Sequence, residues 1–306
     1  MIIVTGAAGF IGYNIAKRLN QMNISDLILI DDKEKNPDPK RFDKLDFIEY
    51  RHYDDLNNLN DIKFIFHQGA CSDTMEYNTE YMMDINYKYS KKIFEIAKLN
   101  KAKFIYASSA SVYGLNEDSK EIPKNESPLN IYAESKLLFD KFIMKQDYPA
   151  VGLRYFNVYG DGEENKGKMA SMAYKMNQEY ITTGRISLFK GTSGYADGEQ
   201  KRDFIYIDDV VSVNIFFMKE SCHDVYNVGT GNAESFNAIA SNIFKFYKDK
   251  DKRINYIEMP EKLIPKYQNF TQADITKLQA AGYSYKFSSL AEGLKNYLSD
   301  LNTSST

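Results

Sequence analysis

Short apolar runs alternate with longer stretches of helical spacing through the first half of the chain. Runs near 1–5, 26–31, 63–66, 102–107 and 149–155 are rich in Ile, Val, Leu and Phe, as strands buried on both faces of a parallel sheet require. The intervening segments 10–22, 79–98 and 130–146 predict helices, and so repeated β-α-β units. Residues 33–45, charged and carrying Pro37 and Pro39, predict an exposed loop after the second strand. After Tyr159-Gly160 the pattern turns polar over 161–168, then predicts a helix near 169–183 and short irregular strands. Arg202–Val210 reads as a strand entering a helix, and Val225–Thr230 as a strand returning to the main sheet. The tail from Asn302 to Thr306 is expected to fray.

The turn after the first strand gives this α/β pattern a chemistry. In Met1-Ile-Ile-Val-Thr-Gly-Ala-Ala-Gly-Phe-Ile-Gly12, the glycines Gly6, Gly9 and Gly12 stand where a side chain blocks a tight turn, a pyrophosphate or helix-sheet packing. The helix that opens with Phe10 and Ile11 aims its N-terminal N–H groups at the phosphates. About twenty residues on, the second strand ends in Asp31, placed for a ribose hydroxyl, with Asp32 beside it. The expected fold is therefore a Rossmann-type doubly wound parallel sheet with a smaller, interleaved α/β substrate domain. The dinucleotide domain is expected to take 1–160 and returning segments about 203–230, and the substrate domain 161–202 and about 231–306.

Composition narrows the function classes. A chain of 306 residues with 43% apolar residues can bury a full core, and a net charge of −3 without a basic stripe argues against nucleic acid. Cys71 and Cys222 make neither a metal spacing nor a disulfide framework, and no signal segment opens the sequence, so a cytoplasmic location is expected. No apolar run reaches membrane-spanning length, and the scattered His52, His67 and His223 predict no metal site.

A second constellation is Tyr132-Ala-Glu-Ser-Lys136, whose spacing of four sets a phenol and an ammonium one helical turn apart. A lysine cation and an oxidised nicotinamide ring both favour the phenolate, which lets Tyr132 take a proton from a substrate hydroxyl. Upstream, an apolar run ends in Ser108, Ser109 and Ser111, at the carboxyl end of a strand where open parallel sheets bind ligands.

The Gly-x-x-Gly-x-x-Gly spacing and the Tyr-Lys pair resemble the extended short-chain dehydrogenase/reductase superfamily. That resemblance implies that Ser109 holds the reacting oxygen with Tyr132 and Lys136. It also places Gln68, Gly69, Ala70, Cys71 and Ser72 along the cofactor, and Asn86 near the nicotinamide. The blocks Asn157-Val-Tyr-Gly160, Asn165-Lys-Gly-Lys-Met-Ala-Ser171, Leu188-Phe-Lys-Gly191, Lys201-Arg-Asp-Phe204, Gly229–Phe236 and Tyr267–Asp274 closely resemble the ADP-L-glycero-D-manno-heptose 6-epimerases, and the likeness runs to about Tyr297. The family implies inversion at C6 of an ADP-heptose through a transient 6-keto sugar, supplying the heptose precursor of lipopolysaccharide core, in a homo-oligomer.

Carried over by position, Tyr132 and Lys166 are the two acid/bases, one for each orientation of the substrate, with Val158 and Lys166 also against the cofactor. Asn157, Lys168, Lys175, Phe189, Lys190, Gly191, Thr192, Arg202 and Tyr267 fall on the substrate. Three departures stand out. Lys168 and Lys175 replace the family's usual serine and histidine, and the stretch 192–200 is longer than the family's, which predicts a mobile lip. The family implies NADP, with Lys40 on its 2′-phosphate, whereas Asp31 and Asp32 favour NAD. A nucleotide-sugar dehydratase is a rival reading, but Ala110-Ser111 stands where its Asp-Glu pair belongs. A silent dinucleotide sensor is another, but Tyr132 and Lys136 are both present.

Overall fold

Apolar runs become strands here because both of their faces are covered: Ile3, Val4, Leu27, Leu29, Ile65, Phe66 and Leu153 have almost no solvent exposure. The structure, a computed structural model, describes residues 1–32 and 39–303. In chain order the regular elements are β1 (Ile2–Thr5), α1 (Phe10–Gln21), β2 (Leu27–Asp31), β3 (Glu49–His52), β4 (Phe64–His67), α2 (Thr79–Met83), α3 (Tyr89–Asn100), β5 (Lys103–Ser109), α4 (Ile131–Ile143) and β6 (Ala150–Tyr155). There follow β7 (Asn157–Tyr159), α5 (Met172–Thr183), β8 (Ile186–Phe189), β9 (Lys201–Tyr206), α6 (Ile207–Lys219), β10 (Asp224–Val228), β11 (Ala233–Ser235), α7 (Phe236–Phe246), β12 (Ile254–Ile257), α8 (Thr276–Ala280) and α9 (Leu290–Thr303).

The chain divides into two compact units by its own contacts. The first takes Met1–Val112, Pro128–Tyr155 and Val210–Tyr226; the second takes Tyr113–Ser127, Phe156–Asp209 and the chain from Asn227 onward. The first holds a seven-stranded sheet in the order β10-β6-β5-β4-β1-β2-β3, so the order reverses beside β1. Parallel pairing sets Ile3 opposite Ile28 and Ile65, and Ser109 opposite Tyr155. One core cluster joins Ile3, Ile30, Ile65, Phe94, Phe104, Tyr106 and Phe139. Helix α4 starts where the Asn130 side chain accepts from Ala133 N at 2.8 Å, which fixes the turn carrying Tyr132.

The second unit holds a three-stranded sheet, β11-β9-β7, and a parallel pair, β12-β8. Asp203 in β9 is fully buried and accepts from Thr230 N and Oγ1 at 2.7 Å each, Gly231 N at 2.9 Å and Ala273 N at 3.0 Å. Four donors on one carboxylate hold β9, and Arg202 with it, against two distant loops.

Several elements differ from the sequence expectation. The polar Glu49–His52 is a strand at the sheet's edge, paired only with β2, so no apolar alternation marks it. The helix expected over 79–98 is broken by a π turn at Asp84–Lys88. Residues 39–44 form a 3-10 turn rather than a plain loop, because Phe42 and Leu45 are buried, while 33–38 lie outside the described residues. β9 pairs with β7 and β11, so 203–209, assigned from sequence to the dinucleotide domain, belongs to the second unit, as do 113–127, 156–160 and 227–230.

Candidate active site

The glycine loop after β1 is shaped by close approach. Gly6 has φ +66°, and a Cβ there would lie 2.6 Å from Gly69 N; a Cβ on Gly12 would lie 2.2 Å from Gly6 O. Gly9 caps α1 with no side-chain bond, and no acid stands in the first turn, so the helix start suits a diphosphate and fits the dinucleotide implied by the fold. Asp31 serves this loop: Oδ2 accepts from Ala8 N and Oδ1 from Asp32 N, each at 2.7 Å. Burial raises its pKa and these bonds oppose the rise. Asp32 lies 3.6 Å from His52 Nε2. Arg41 stacks on Tyr13 of α1 at 3.6 Å, whereas Lys33, Lys35 and the Lys40 side chain lie outside the described residues.

At the end of β5, Ser109 Oγ accepts from Ser111 Oγ at 2.9 Å and Ser111 N at 3.2 Å, which leaves its own proton to donate. That hydroxyl lies close enough to Tyr132 to favour its phenolate. Lys136 Nζ donates to Ala107 O at 2.9 Å and lies 6.0 Å from the centre of the Tyr132 ring. The expectation that Lys136 draws the phenol's pKa down is corrected for the protein alone. Burial pushes Tyr132 up against the pull of Ser109, and burial brings Lys136 down to about 8 despite Asp140 and Cys71.

Two buried networks support this corner. Asp140, two turns beyond Tyr132, accepts from Tyr106 OH and Ser108 Oγ at 2.9 Å each and from Arg154 Nε at 3.0 Å. Ser108 is thus structural, and Arg154 balances the aspartate. The other network is a directional chain of hydrogen bonds: Gly69 N donates to Thr5 Oγ1 at 3.1 Å, Thr5 Oγ1 meets His67 Nδ1 at 2.7 Å, His67 Nε2 meets Ser90 Oγ at 2.8 Å, and Ser90 Oγ donates to Asn86 O at 2.7 Å. Asn86 clamps Cys71 through both backbone groups, at 2.8 and 2.9 Å, and donates to Ser135 Oγ at 3.1 Å. Asn86 therefore positions the loop Gly69–Ser72, where the sequence reading put it near the nicotinamide itself. Gln68, intermediate in exposure, is held by Tyr155 OH at 3.0 Å, while Ala70 is half-buried and Ser72 exposed.

In the second unit a cavity of about 560 Å³ is lined by Asn157, Val158, Lys166, Lys175, Phe189, Gln200, Arg202, Phe236, Ile257 and Tyr267, among others. Three cations and no carboxylate face it, which suits an anionic ligand. The Arg202 guanidinium sits 5.1 Å from the Tyr267 ring and 5.7 Å from Phe236, and Phe189 meets Tyr267 edge-on at 6.1 Å. Burial and Lys175 lower the Lys166 amine's pKa, and Glu163 opposes them.

Other expected contacts fall outside the cavity wall. Lys168 is exposed, and its carbonyl accepts from Lys175 Nζ at 2.6 Å. Lys190 pairs with Glu258 at 2.5 Å, Gly191 N bonds Asp197 at 2.8 Å, and Thr192 Oγ1 bonds Asn269 at 3.1 Å. The stretch 192–200 is tied down instead of forming a loose lip: Gly198 N reaches Phe189 O at 3.0 Å, and Asn237 holds Asp197 O at 2.8 Å and Glu199 at 2.6 Å. Gln200, Phe236 and Ile257 were not foreseen. They converge from three distant segments, and no local spacing in the sequence marks them.

A parallel sheet with a glycine cradle at its order reversal, and a serine, tyrosine and lysine at the next strand end, define a Rossmann-type dinucleotide enzyme. Family comparison is more specific: the chain belongs to the NAD dependent epimerase/dehydratase family, which matches residues 2–229. An ADP-L-glycero-D-manno-heptose-6-epimerase from Brachyspira hyodysenteriae is 45% identical over 97% of this chain and 96% of its own length. The crystal structure of the Helicobacter pylori ADP-L-glycero-D-manno-heptose-6-epimerase superposes with a TM-score of 0.84 at 36% identity, covering 98% of this chain and 96% of that one. A UDP-glucuronic acid 4-epimerase variant from Bacillus cereus, in complex with a fluorinated substrate analogue and NAD, superposes with a TM-score of 0.80 at 25% identity, covering 98% and 99%.

Proposed function

We propose that this chain inverts C6 of the heptose in ADP-D-glycero-D-manno-heptose, giving the L-glycero epimer through a transient 6-keto sugar. It would thereby supply a heptose precursor of lipopolysaccharide core. The observation that carries the reading is the cation-lined cavity that brings Lys166, Arg202 and Tyr267 together in a chain so similar to known ADP-heptose epimerases. Arg202 binds the diphosphate and Asn157 the sugar. Tyr132 and Lys166 each handle the proton of the C6 hydroxyl in one of the substrate's two orientations, while Ser109 steadies the reacting oxygen and Lys136 assists Tyr132. A bound nicotinamide dinucleotide supplies reversible hydride acceptance and is not consumed.

The test is incubation with ADP-D-glycero-D-manno-heptose in heavy water. The reading expects both C6 epimers at equilibrium, no net change in nicotinamide absorbance, and no deuterium at C6, because the same hydrogen returns. A dehydrated keto sugar alone, or binding without turnover, overturns it.

For the cofactor the resemblance implies NADP, whereas the NAD dependent family and an NAD-bound structural relative support NAD, as do Asp31 and Asp32, two acids that would repel a 2′-phosphate. The mass of the nucleotide released on denaturation separates them. A homo-oligomer and a cytoplasmic location rest on resemblance and composition, and light scattering reads the first. Among the described residues, no helix is long and apolar enough to cross a membrane.

A further inference from the structure

The loop that carries Lys166 is closed from beneath by a carboxylate. Glu163 has 0% solvent exposure. Its Oε1 accepts from Gly160 N at 3.1 Å and from Ser171 Oγ at 2.8 Å, and its Oε2 accepts from Ser171 N at 2.5 Å. All three partners are donors, the set that an ionised carboxylate takes; burial raises the Glu163 pKa, and these bonds and Lys166 oppose the rise. They stand at the two ends of 160–171, so one side chain fastens the start of the loop to the start of α5. Between them the chain turns through Gly167 at φ +53°, and Lys166 N donates to Glu163 O at 2.9 Å, which sets the lysine one tight turn beyond the acid.

The charged surroundings are few. Lys166 faces the carboxylate from the loop, with Tyr159 of β7, Tyr174 of α5 and Tyr297 of α9 around it. The Lys166 amine feels Glu163 on one side and Lys175 of α5 on the other. We propose that Glu163 is the positioning residue for Lys166: its carboxylate fixes the lysine's loop and supplies the buried negative charge that the lysine's amine faces. This rests on the role given to Lys166 above. Burial and the Lys175 charge pull the amine's proton affinity down, and Glu163 restores part of it. Glu163 touches neither reacting atom, and its effect passes through the loop and the field.

Two variants separate charge from geometry. The pH at which Lys166 becomes half-reactive toward an amine-acylating reagent is read by mass spectrometry of its peptide in the folded, full-length protein. In Glu163→Gln that midpoint falls by roughly one pH unit, the size of effect an opposite charge at close range produces. In Glu163→Asp the charge remains and the midpoint stays within a few tenths. The shorter side chain no longer spans Gly160 and Ser171, so trypsin cuts after Lys166 or Lys168 several-fold faster and epimerisation slows at least tenfold. An unchanged midpoint in folded Glu163→Gln overturns the electrostatic half. Wild-type cleavage and turnover in Glu163→Asp overturn the positional half, and this arm decides the matter if Glu163→Gln does not fold. A Lys166→Met variant with full turnover would remove the catalytic role of Lys166 and leave the labelling result standing, so the two failures are distinguishable.

Discussion

His67 offers a sharp quantitative test of how the sheet supports the cofactor loop. It is 3% exposed, and its ring is held at both nitrogens: Nδ1 against Thr5 Oγ1 and Nε2 against Ser90 Oγ. Ser90 spends its proton on Asn86 O, so it accepts from Nε2–H, and Thr5 is left to donate to Nδ1. Among the described residues a second proton on the ring finds no acceptor. Burial, aided by the Lys136 charge, accordingly lowers the pKa from 6.5 to about 3. The unfolded chain then binds a proton that the folded one refuses. Stability from this residue is fully present above pH 6.5 and is lost as pH falls through 6.5 toward 3. Between the two pKa values the slope approaches about 1.4 kcal/mol per pH unit, so roughly 2 kcal/mol is gone by pH 5 and on the order of 4 kcal/mol by pH 3. His67→Gln keeps a donor and an acceptor but cannot titrate. Urea unfolding followed by far-UV circular dichroism, suited to a chain with no tryptophan, gives stability at pH 7.5, 6.5 and 5.5 for both proteins. The carboxylates and the other two histidines cancel in the comparison. The wild type should lose about 1 kcal/mol more than the variant between pH 6.5 and 5.5, because the slope is only half developed at pH 6.5. Equal losses, or a His67 ring that titrates near 6.5 by NMR, refute the assignment.

Other expectations are more direct. Gly12→Ala forces a Cβ to 2.2 Å from Gly6 O, so the loop must shift, and the protein should come off the column with little dinucleotide while remaining folded by circular dichroism. Asp140→Ala strands the buried Arg154 and should cost about 3–5 kcal/mol in chemical unfolding; Asp140→Leu with Arg154→Met should recover most of that, and a double variant no better than the single one contradicts the pairing. Tyr132→Phe should slow epimerisation by about 10²-fold or more, with dinucleotide content unchanged by mass spectrometry, and wild-type turnover in this variant excludes the phenol from the chemistry.

What could be read from the chain depends on how far apart the cooperating residues lie. Gly6, Gly9 and Gly12, and equally Tyr132 and Lys136, act within one turn of backbone, so spacing alone announces them. The network that holds Asp140 draws on Tyr106, Ser108 and Arg154 from two strands, and the chain through His67 joins residues 62 and 23 positions away. Spacing carries no trace of such contacts. Asn86 shows the middle case: the superfamily pattern marks the residue, while only the coordinates reveal that it grips Cys71. Edge strand β3 escaped notice because a strand with one neighbour needs little apolar surface. The length of 192–200 suggested mobility, yet its length provides the turns that bond Phe189, Asp197 and Asn237.

Burial also sorts the two proposed acid/bases in a way the sequence could not. It raises the pKa of Tyr132 and lowers that of Lys166, so around each it favours the uncharged form, a protonated phenol and a neutral amine. On the proposed reaction, the neutral amine takes the hydroxyl proton as the sugar is oxidised, and the protonated phenol gives one to the ketone after it has turned over. One inversion leaves an ammonium and a phenolate, each disfavoured by the burial around it, and the reverse inversion restores the neutral pair. On this proposal desolvation favours one direction, and a return of the proton through solvent or substrate precedes the next forward cycle. Glu163 moderates this bias: by raising the amine's proton affinity it narrows the gap between the two states, and so keeps both directions of a near-balanced reaction within reach.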